Sequence, residues 1–325
     1  MDTGTHFVMG VGLFGLAHID PSVVNHADTS QAVLLGTIIG SQMPDIDTIY
    51  RFKGNATYIR NHRGWSHSLP MLLLWPVLLT LLLSFIFPNS SWTHLWIWTQ
   101  LAVLIHIFID CFNTYGTQAI RPLSYRWISW NIINIFDPFI FTIHVIGFMA
   151  WWITPLDPGS IFALIYGLII VYVLWRTWVH YRLVQWIQLQ IEPMGKVTVT
   201  PTIRWNVWNV IVEHHQFVKM GTLVNKKLTW TGQLTTENIH HPAVISSKQT
   251  DPIDAFLSFT SYGYPQVYQR SYGFEVRWLD VRYHYKKHFP FVAVALIDKE
   301  YKPFHSFVGW MNEGQLEKKI RNLVS

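Results

Sequence analysis

Three polar stretches of this chain carry side chains of the kinds that hold metal ions in proteins. They are PDID, with Asp45 and Asp47; NHRGWSHS, with His62 and His67; and HIFID, with His106 and Asp110. Imidazoles and carboxylates bind Zn²⁺, Mn²⁺ or Fe without any thiolate. His106 and Asp110 are four residues apart and Asn113 follows at i+7, so one face of a helix would present all three. The spacing predicts a divalent-metal site.

Asp110 stands inside an otherwise apolar segment, where a charged side chain is costly and marks a functional site with a partner. Each residue also has a structural interpretation: His106 and Asp110 as a pair between helices, Asp45 and Asp47 as a turn or N-cap, Ser66 as a helix cap. Together, however, the histidines and aspartates outnumber what capping requires, and few cations lie nearby in sequence. A bound metal would supply the missing positive charge.

The composition indicates a membrane protein. Of the 325 residues, 50% are hydrophobic and only 13% are charged, about half the share in soluble domains. Four segments approach the length of a spanning helix and have Trp residues near several ends. They are Leu69–Phe87, Trp92–Phe112, Phe139–Leu156 and Pro158–Trp175. Before them, two shorter apolar runs, from His6 to Ile19 and from Ala32 to Met43, predict either a thin helical hairpin or two helices that enter the membrane only part-way.

The placement of Lys and Arg predicts the orientation of these helices. Arg51, Lys53, Arg60 and Arg63 lie before the first strong span, and Arg121 and Arg126 lie between the second and third. The alternate loops carry none, so the positive-inside rule assigns the basic loops to the cytoplasm. If the N-terminal hairpin crosses the membrane twice, all the candidate ligands converge at the inner leaflet: His6, Asp45, Asp47, His62, His67, His106 and Asp110.

The pattern changes after about residue 190. Lys196–Thr200, Arg204–Val212, Phe274–Tyr285 and Phe291–Ile297 are rich in β-branched and aromatic residues, often in alternation. We predict a small, mostly antiparallel β domain in the cytoplasm, closed by a short helix at Glu313–Leu323. The expected fold is therefore an all-α membrane domain over residues 1–185, with four clear transmembrane helices and the hairpin, followed by a β-rich domain over residues 191–325.

The charge and the cysteine content narrow the class of protein. The net charge of +5 comes from residues after 190. A surplus of this size is weak evidence for nucleic-acid binding, and attraction to an anionic lipid surface explains it at least as well. The single cysteine, Cys111, excludes a disulfide framework and a cysteine zinc site.

The same motifs carry a resemblance to a known family. MDTGTH, PDID, HRGWSHS and HIFIDCFNTYGT resemble the pattern of the YdjM/YfhP-type family of predicted membrane-bound metal-dependent hydrolases, over roughly residues 1–180. The HRG-x-SH-S element is the most specific of them. The resemblance implies a bacterial-type plasma membrane and a metal-site group of His6, Asp45, Asp47, His62, His67, His106 and Asp110. The H-x-x-x-D spacing is also similar to one in zinc-dependent phospholipase C, but no clear H-x-x-x-E pair follows it, which argues against a three-metal cluster.

These observations predict metal-assisted hydrolysis. One or two divalent ions, Zn²⁺ first and Mn or Fe as alternatives, would activate a water and polarise a phosphoryl or ester oxygen. Asp45 or Asp47 would bind the metal or act as general base, and Arg63 would stabilise a developing anionic oxygen. Ser66 and Asn113 would orient the ligands. A site at the inner leaflet favours a lipid or amphiphilic phosphoester as substrate.

Two alternatives belong to other classes of protein. Intramembrane Asp and His also mark the ion paths of transporters, although these polar groups gather at one face and no pair of similar halves is visible. A scaffold is favoured by the size of the β domain, which carries no catalytic motif that we can identify. A metal could also be purely structural. The sequence leaves the oligomeric state open.

Overall fold

A computed structural model of the chain, described for residues 1–191, 195–284 and 288–324, divides into two compact units. The first consists of Met1–Asp47 and Arg63–His180, and the second of Thr48–His62 and Tyr181–Ser325. Residues 48–62, which the predicted domains place in the first part, thus group with the second unit.

Helices dominate the first unit. They are α1 (Thr3–Leu16), α2 (Pro21–Val24), α3 (Ala27–Gly40), α5 (Leu69–Ile86), α6 (Trp92–Cys111), α7 (Pro138–Ile153) and the first part of α8 (Pro158–Gln188), while α4 (Asn55–Asn61) lies in the second unit. Two 3₁₀ segments, Met43–Lys53 and Trp65–His67, carry the PDID and WSH motifs.

Three helices of the described chain, α5, α6 and α8, are long and apolar enough to cross a membrane. The third predicted span, Phe139–Leu156, is shorter than expected, since α7 has 16 residues. It starts where Asp137 accepts hydrogen bonds from the backbone N–H groups of Phe139 and Ile140. It ends at Ile153 because Thr154 precedes a proline, which disfavours helical backbone. The predicted helical class is confirmed, with this difference in the number of long spans.

Small residues bring α3 and α6 close together. A Cβ atom on Gly36 would lie 2.5 Å from the Thr99 hydroxyl, and one on Gly40 would lie 3.2 Å from the Ala102 methyl group. The spacing of these glycines, G-x-x-x-G, lets helix backbones approach in membranes. The close contact places the C-terminal end of α3, and Ser41 after it, beside the polar end of α6.

The second unit contains two four-stranded antiparallel sheets. The first has the order β1 (Lys196–Pro201), β2 (Val207–Glu213), β3 (Phe217–Val224), β4 (Lys227–Thr235), and the second β5 (Gly263–Arg270), β6 (Gly273–Asp280), β7 (Phe291–Asp298), β8 (Pro303–Trp310). Helices α9 (Pro242–Ser247) and α10 (Asp251–Phe259) connect the sheets, and α11 (Glu313–Val324) follows β8. The predicted antiparallel β domain with a closing helix is confirmed.

One apolar core joins the two sheets and α11. Ile211 and Met220 of the first sheet pack with Val292 and Leu296 of the second, and α11 adds Leu316. β7 is buried along almost its whole length, which explains its continuous apolar sequence FVAVALI.

Candidate metal centre

One face of α6 delivers two of the predicted ligands. Trp98, Ala102, His106 and Asp110 recur every fourth residue and are all at most 7% exposed. Residues four apart lie above one another on a helix, so the same packing that buries Trp98 and Ala102 also buries the imidazole and the carboxylate. The predicted proximity of His106 and Asp110 is a consequence of this buried stripe.

Asp45, His67, His106 and Asp110 form a compact group. Each offers one ligand atom, and these four atoms lie within 4.8 Å of one another. The Nε2 atoms of His67 and His106 are 3.4 and 3.5 Å from Asp110 Oδ2 and 3.6 and 3.8 Å from Asp45 Oδ1. Three of the residues are at most 1% exposed. We call this four-residue group the His/Asp cluster.

The hydrogen bond of His106 fixes which of its nitrogens faces the cluster. Its Nδ1 atom lies 2.6 Å from the backbone carbonyl oxygen of Ser41, which can only accept. Nδ1 therefore carries the proton in the neutral ring, and Nε2 presents a lone pair to the cluster. This is the usual arrangement of a metal-binding histidine, whose other nitrogen donates to a carbonyl or carboxylate.

A hydroxyl group sets the same tautomer in His67. The Ser66 hydroxyl donates to Asp47 Oδ2 at 2.5 Å, so its oxygen is available to accept from His67 Nδ1, 3.0 Å away. His67 Nε2 then also presents a lone pair to the cluster. The Nε2 atoms of His67 and His106 are 3.3 Å apart. Two such lone pairs repel each other unless a proton or a cation lies between them. Together with the carboxylates of Asp45 and Asp110, this donor set fits a divalent cation.

Arg63 closes one side of the cluster. Its backbone is left-handed, with φ of 57°, and its N–H donates to Asp47 Oδ2 at 2.8 Å. Its guanidinium lies 3.2 Å from Asp110 Oδ2 and donates to Asn113 Oδ1 at 3.3 Å. The Asn113 amide in turn donates to Asp110 Oδ1 at 3.2 Å. Arg63 and Asn113 therefore hold the Asp110 carboxylate from two directions.

His6 lies against the cluster. Its ring stacks on that of His106 with the centroids 3.7 Å apart, and its Nε2 atom is 3.3 Å from Asp110 Oδ1. The backbone nitrogen of Met1 lies 2.9 Å from the same Nε2 atom and contacts Asp110. The early Thr-His motif thus reaches the carboxylate of α6.

Asp47 and His62 are not members of the His/Asp cluster. Asp47 is 4% exposed and reaches His67 through the Ser66 hydroxyl, with its Oδ2 atom 3.9 Å from His67 Nδ1. His62 ends α4 in the second unit, where its ring stacks on Tyr58 with the centroids 4.7 Å apart. Its assignment as a metal ligand stays a prediction.

The charge of Asp45 is stabilised by its neighbours. Burial alone would raise the pKa of this carboxyl group, but His106, Arg63 and His67 lower the pKa well below its usual value. Asp45 is therefore ionised at neutral pH, as a metal ligand must be.

The sequence did not reveal the role of Ser41. The contact uses the backbone carbonyl of Ser41, which any residue would supply, so no side-chain pattern could have indicated it. The one available signal is its position directly after the G-x-x-x-G helix that packs on α6.

Comparisons with known proteins show the family to which the chain belongs. Residues 1–183 match the model of the family described as YdjM inner membrane protein. The chain belongs to this family. Residues 242–320 match the YfhP C-terminal alpha/beta plait domain, which corresponds to α9, α10, the second sheet and part of α11. The chain is also 38% identical over 324 residues to a Bacillus subtilis (strain 168) protein named "Uncharacterized protein YfhP", with 99% of each chain covered. No solved structure matches.

The family assignment confirms the resemblance seen in the motifs and identifies the chain as a membrane protein. The MDTGTH, PDID, HRGWSHS and HIFID motifs all lie within the matched residues 1–183. The His/Asp cluster is thus formed inside the region that defines the family.

Proposed function

We propose that this protein is a membrane-bound metal-dependent hydrolase. The observation that carries the proposal is the pair of opposed lone pairs on His67 and His106, set by separate hydrogen bonds, beside the carboxylates of Asp45 and Asp110. A structural ion pair would not require both imidazoles to be held in the tautomer that suits a metal.

The ligands would be Asp45, His67, His106 and Asp110, with His6 and His62 as further predicted ligands. A divalent ion held there, Zn²⁺ or alternatively Mn or Fe, would supply an activated water and a Lewis acid at neutral pH. Metal analysis of the purified protein would measure whether one or two ions bind.

The remaining residues have distinct roles in this proposal. Arg63 places a guanidinium 3.2 Å from Asp110 and would stabilise negative charge that develops on a substrate oxygen. Asp47 accepts two hydrogen bonds and, through Ser66, orients His67. Asn113 orients Asp110. Asp45, which is 12% exposed at its side chain, would accept the proton of the attacking water if it does not bind the metal.

The proposed substrate is a phosphoester or a lipid-like ester. The cluster includes the last helical turn of α6, one of the three helices able to cross a membrane, so the scissile bond would lie at the depth of lipid headgroups. The basic loops around it support a cytoplasmic location for this face and for the β domain.

Metal analysis combined with an activity assay tests the proposal. Protein purified in detergent should hold one or two tightly bound ions per chain, and His67→Ala and Asp110→Asn should lose both the metal and the hydrolysis of phosphatidic acid or p-nitrophenyl phosphate. His26→Ala is the matched control, because His26 is exposed and lies outside the cluster.

Other outcomes would favour other classes of function. Metal that remains bound in the wild type without hydrolysis of any ester in a broad screen would indicate a structural site. A wild-type protein that neither contains nor takes up metal would contradict the proposal. It would favour a transporter or a scaffold instead.

A further inference from the structure

A cavity of about 680 Å³ lies in the second unit, between the inner face of the second sheet and β4 of the first. This is the size of pocket that holds drug-sized ligands. The residues that line it come from both sheets, from α11 and from the segment before β7. They are Met220, Gln233, Gln266, Arg277, His288 and Glu313, with further apolar and small residues between them.

The backbone of β4 is shaped around this cavity. The pairing of β3 and β4 shifts register between Met220 and Gly221, which leaves Thr231 as an extra residue in β4. Next to it, a Cβ atom on Gly232 would meet the Met220 methyl group at 3.4 Å, an ordinary contact. A larger side chain there would have to enter the cavity. Bulges and glycines in strands recur where a strand borders a binding site.

The charges around the cavity disfavour an anion. Arg277 is 6% exposed, and its donors bind Glu275, Glu317 and, at 3.0 Å, Glu313. Three carboxylates already surround its guanidinium, so its charge is neutralised and it is a poor anchor for a phosphate or carboxylate ligand. Arg270 pairs with Glu275 at 2.9 Å, so three carboxylates face two guanidinium groups in this network and one negative charge is in excess.

Two atoms beside the cavity, His288 Nδ1 and Glu313 Oε2, are placed to bind a hydrogen-bond donor of a ligand. The Nδ1 atom of His288 is buried and has no hydrogen-bond partner among the described residues. It lies 3.7 Å from Glu313 Oε2, too far for a direct hydrogen bond. With the ring proton on Nε2, His288 Nδ1 is an acceptor, and one ammonium group could donate to both atoms. Leu234, Leu279 and Phe289 offer apolar contact to the rest of a ligand.

We propose that this cavity binds a cationic amphiphile, an aromatic or aliphatic body that carries one protonated amine. The amine binds Glu313 and His288, and the body packs between Leu279, Phe289 and the backbone of β4. This site is separate from the His/Asp cluster and does not depend on the proposed hydrolase activity.

Three probes of one shape test the charge preference. Tryptamine is a cation, tryptophol is neutral and indole-3-propionate is an anion, and all three carry an indole ring. Equilibrium dialysis of the full-length protein in detergent, corrected with protein-free micelles, should show saturable tryptamine binding, weaker tryptophol binding and the weakest binding for indole-3-propionate. Equal affinity for the three probes, or no saturable tryptamine binding at millimolar concentration, would overturn the proposal.

Two variants locate the site. Glu313→Gln should bind tryptamine about tenfold more weakly, the effect of losing one charge-assisted hydrogen bond, and should leave tryptophol binding unchanged. Gly232→Leu should fill the cavity and weaken the binding of both. Glu300→Gln is the control, since Glu300 is an exposed carboxylate outside the cavity lining. Glu313 is 60% exposed, so its variant tests the site even if Gly232→Leu does not fold. Unchanged tryptamine affinity in Glu313→Gln would place the binding elsewhere.

Discussion

At the residue scale, the His/Asp cluster depends on two protons that lie outside it. Ser41 and Ser66 each contact the Nδ1 atom of one histidine, and neither touches the place where the two Nε2 atoms meet. Such outer contacts keep an imidazole ring in the right tautomer and orientation before a ligand arrives. They are therefore the sites at which metal affinity can change without removal of a ligand.

Ser66→Ala should weaken metal binding by about 10- to 100-fold, because His67 loses the hydroxyl that orients its ring. Competition with a chelator of known affinity measures this change. Ser68→Ala is the control: Ser68 is fully buried in the same loop, and its hydroxyl has no hydrogen-bond partner among the described residues. Equal affinity of the two variants would show that Ser66 does not position His67.

Arg63→Lys should keep its metal but lose turnover, by a factor of about 100 or more. Lysine retains the positive charge beside Asp110, but it cannot reproduce the planar fork that reaches Asp110 and Asn113 together. Metal content and the rate of ester hydrolysis are measured on the same sample. Arg126→Lys, in a loop outside the cluster, is the control. A parallel loss of metal and rate would make Arg63 a structural residue.

Residue types, spacing and the resemblance together predicted a larger metal-site group, and the four residues of the cluster are among its members. His106 and Asp110 followed from helical spacing, and Asp45 and His67 from their motifs and from the resemblance. The contact to Ser41 could not be predicted, since a backbone carbonyl leaves no trace in residue type. The left-handed backbone of Arg63 was not predicted either, because arginine rarely adopts it.

At the scale of elements, the packing of α3 on α6 positions the Ser41 carbonyl beside His106. Gly36 and Gly40 allow the two helices to approach, and the C-terminal end of α3 then lies within hydrogen-bond distance of a ligand side chain. The geometry of the His/Asp cluster thus depends on a helix contact that contains none of its members.

Gly36→Leu should destabilise the first unit by about 1–3 kcal/mol and reduce its metal content, because the new side chain would collide with Thr99 and separate α3 from α6. Thermal unfolding in detergent and metal analysis measure the two effects. Gly167→Leu is the control, since a Cβ atom on Gly167 of α8 would meet no atom within 4 Å. Normal stability of Gly36→Leu would contradict the close-packing argument.

The loop after β6 should make the second unit sensitive to acid. Burial lowers the pKa of His284, whose Nδ1 atom lies 3.0 Å from the Val281 carbonyl oxygen. Below about pH 6.5 the unfolded chain takes up a proton that the folded chain does not, so stability falls as the pH decreases from that value. Above about pH 6.5, His284 makes no pH-dependent contribution to stability.

His284→Asn should remove this pH dependence, because the amide can still donate to Val281 but does not titrate. Hydrogen exchange of the β6 and β7 amides at pH 7.5 and pH 5.5 measures it in the full-length protein. His240→Asn, at an exposed histidine of the same unit, should behave like the wild type. An unchanged acid response in His284→Asn would assign that response to other groups.

Some strands were predicted from the sequence and others were missed, for a physical reason. β1, β2, β6 and β7 are rich in β-branched and aromatic residues and were predicted, with shifted ends. The predicted strand Phe274–Tyr285 is too long, because β6 ends at Asp280 and a 3₁₀ turn follows at Val281–Tyr283, while Tyr285 lies outside the described residues. β4 and β8 are edge strands that contain Gly, Gln, His or Ser and lack a regular alternation, and both were missed. The pairing of β3 with β4 is interrupted by the bulge at Thr231. β5 contains Pro265, which is tolerated because β5 is also an edge strand.

At the scale of the whole molecule, the charges in the loops predict which side of the membrane each unit faces. Arg51, Lys53 and Arg60 lie in the second unit together with the β domain, and the loop Asp20–Gln31 carries no Lys or Arg. By the positive-inside rule we expect the second unit to lie in the cytoplasm, as predicted from the sequence.

Cysteine labelling in intact cells tests this orientation. The native Cys111 is buried, so an introduced cysteine reports its own exposure. Lys302→Cys should react with a membrane-impermeant maleimide only after the cells are opened, and Asn25→Cys should react in intact cells. The unmodified chain is the control. The reverse pattern would place the β domain outside the cytoplasm.

The His/Asp cluster collects its side chains from three separate stretches of the first unit, the PDID segment, the WSH segment and α6, and His6 of α1 packs against it. The ribosome delivers these stretches to the membrane one after another, with α6 last. Under the proposed function, tight metal binding would therefore wait until α6 is inserted and packed. Metal binding during synthesis would then mark the point at which the first unit has folded. The bound metal would stabilise that folded unit by mass action.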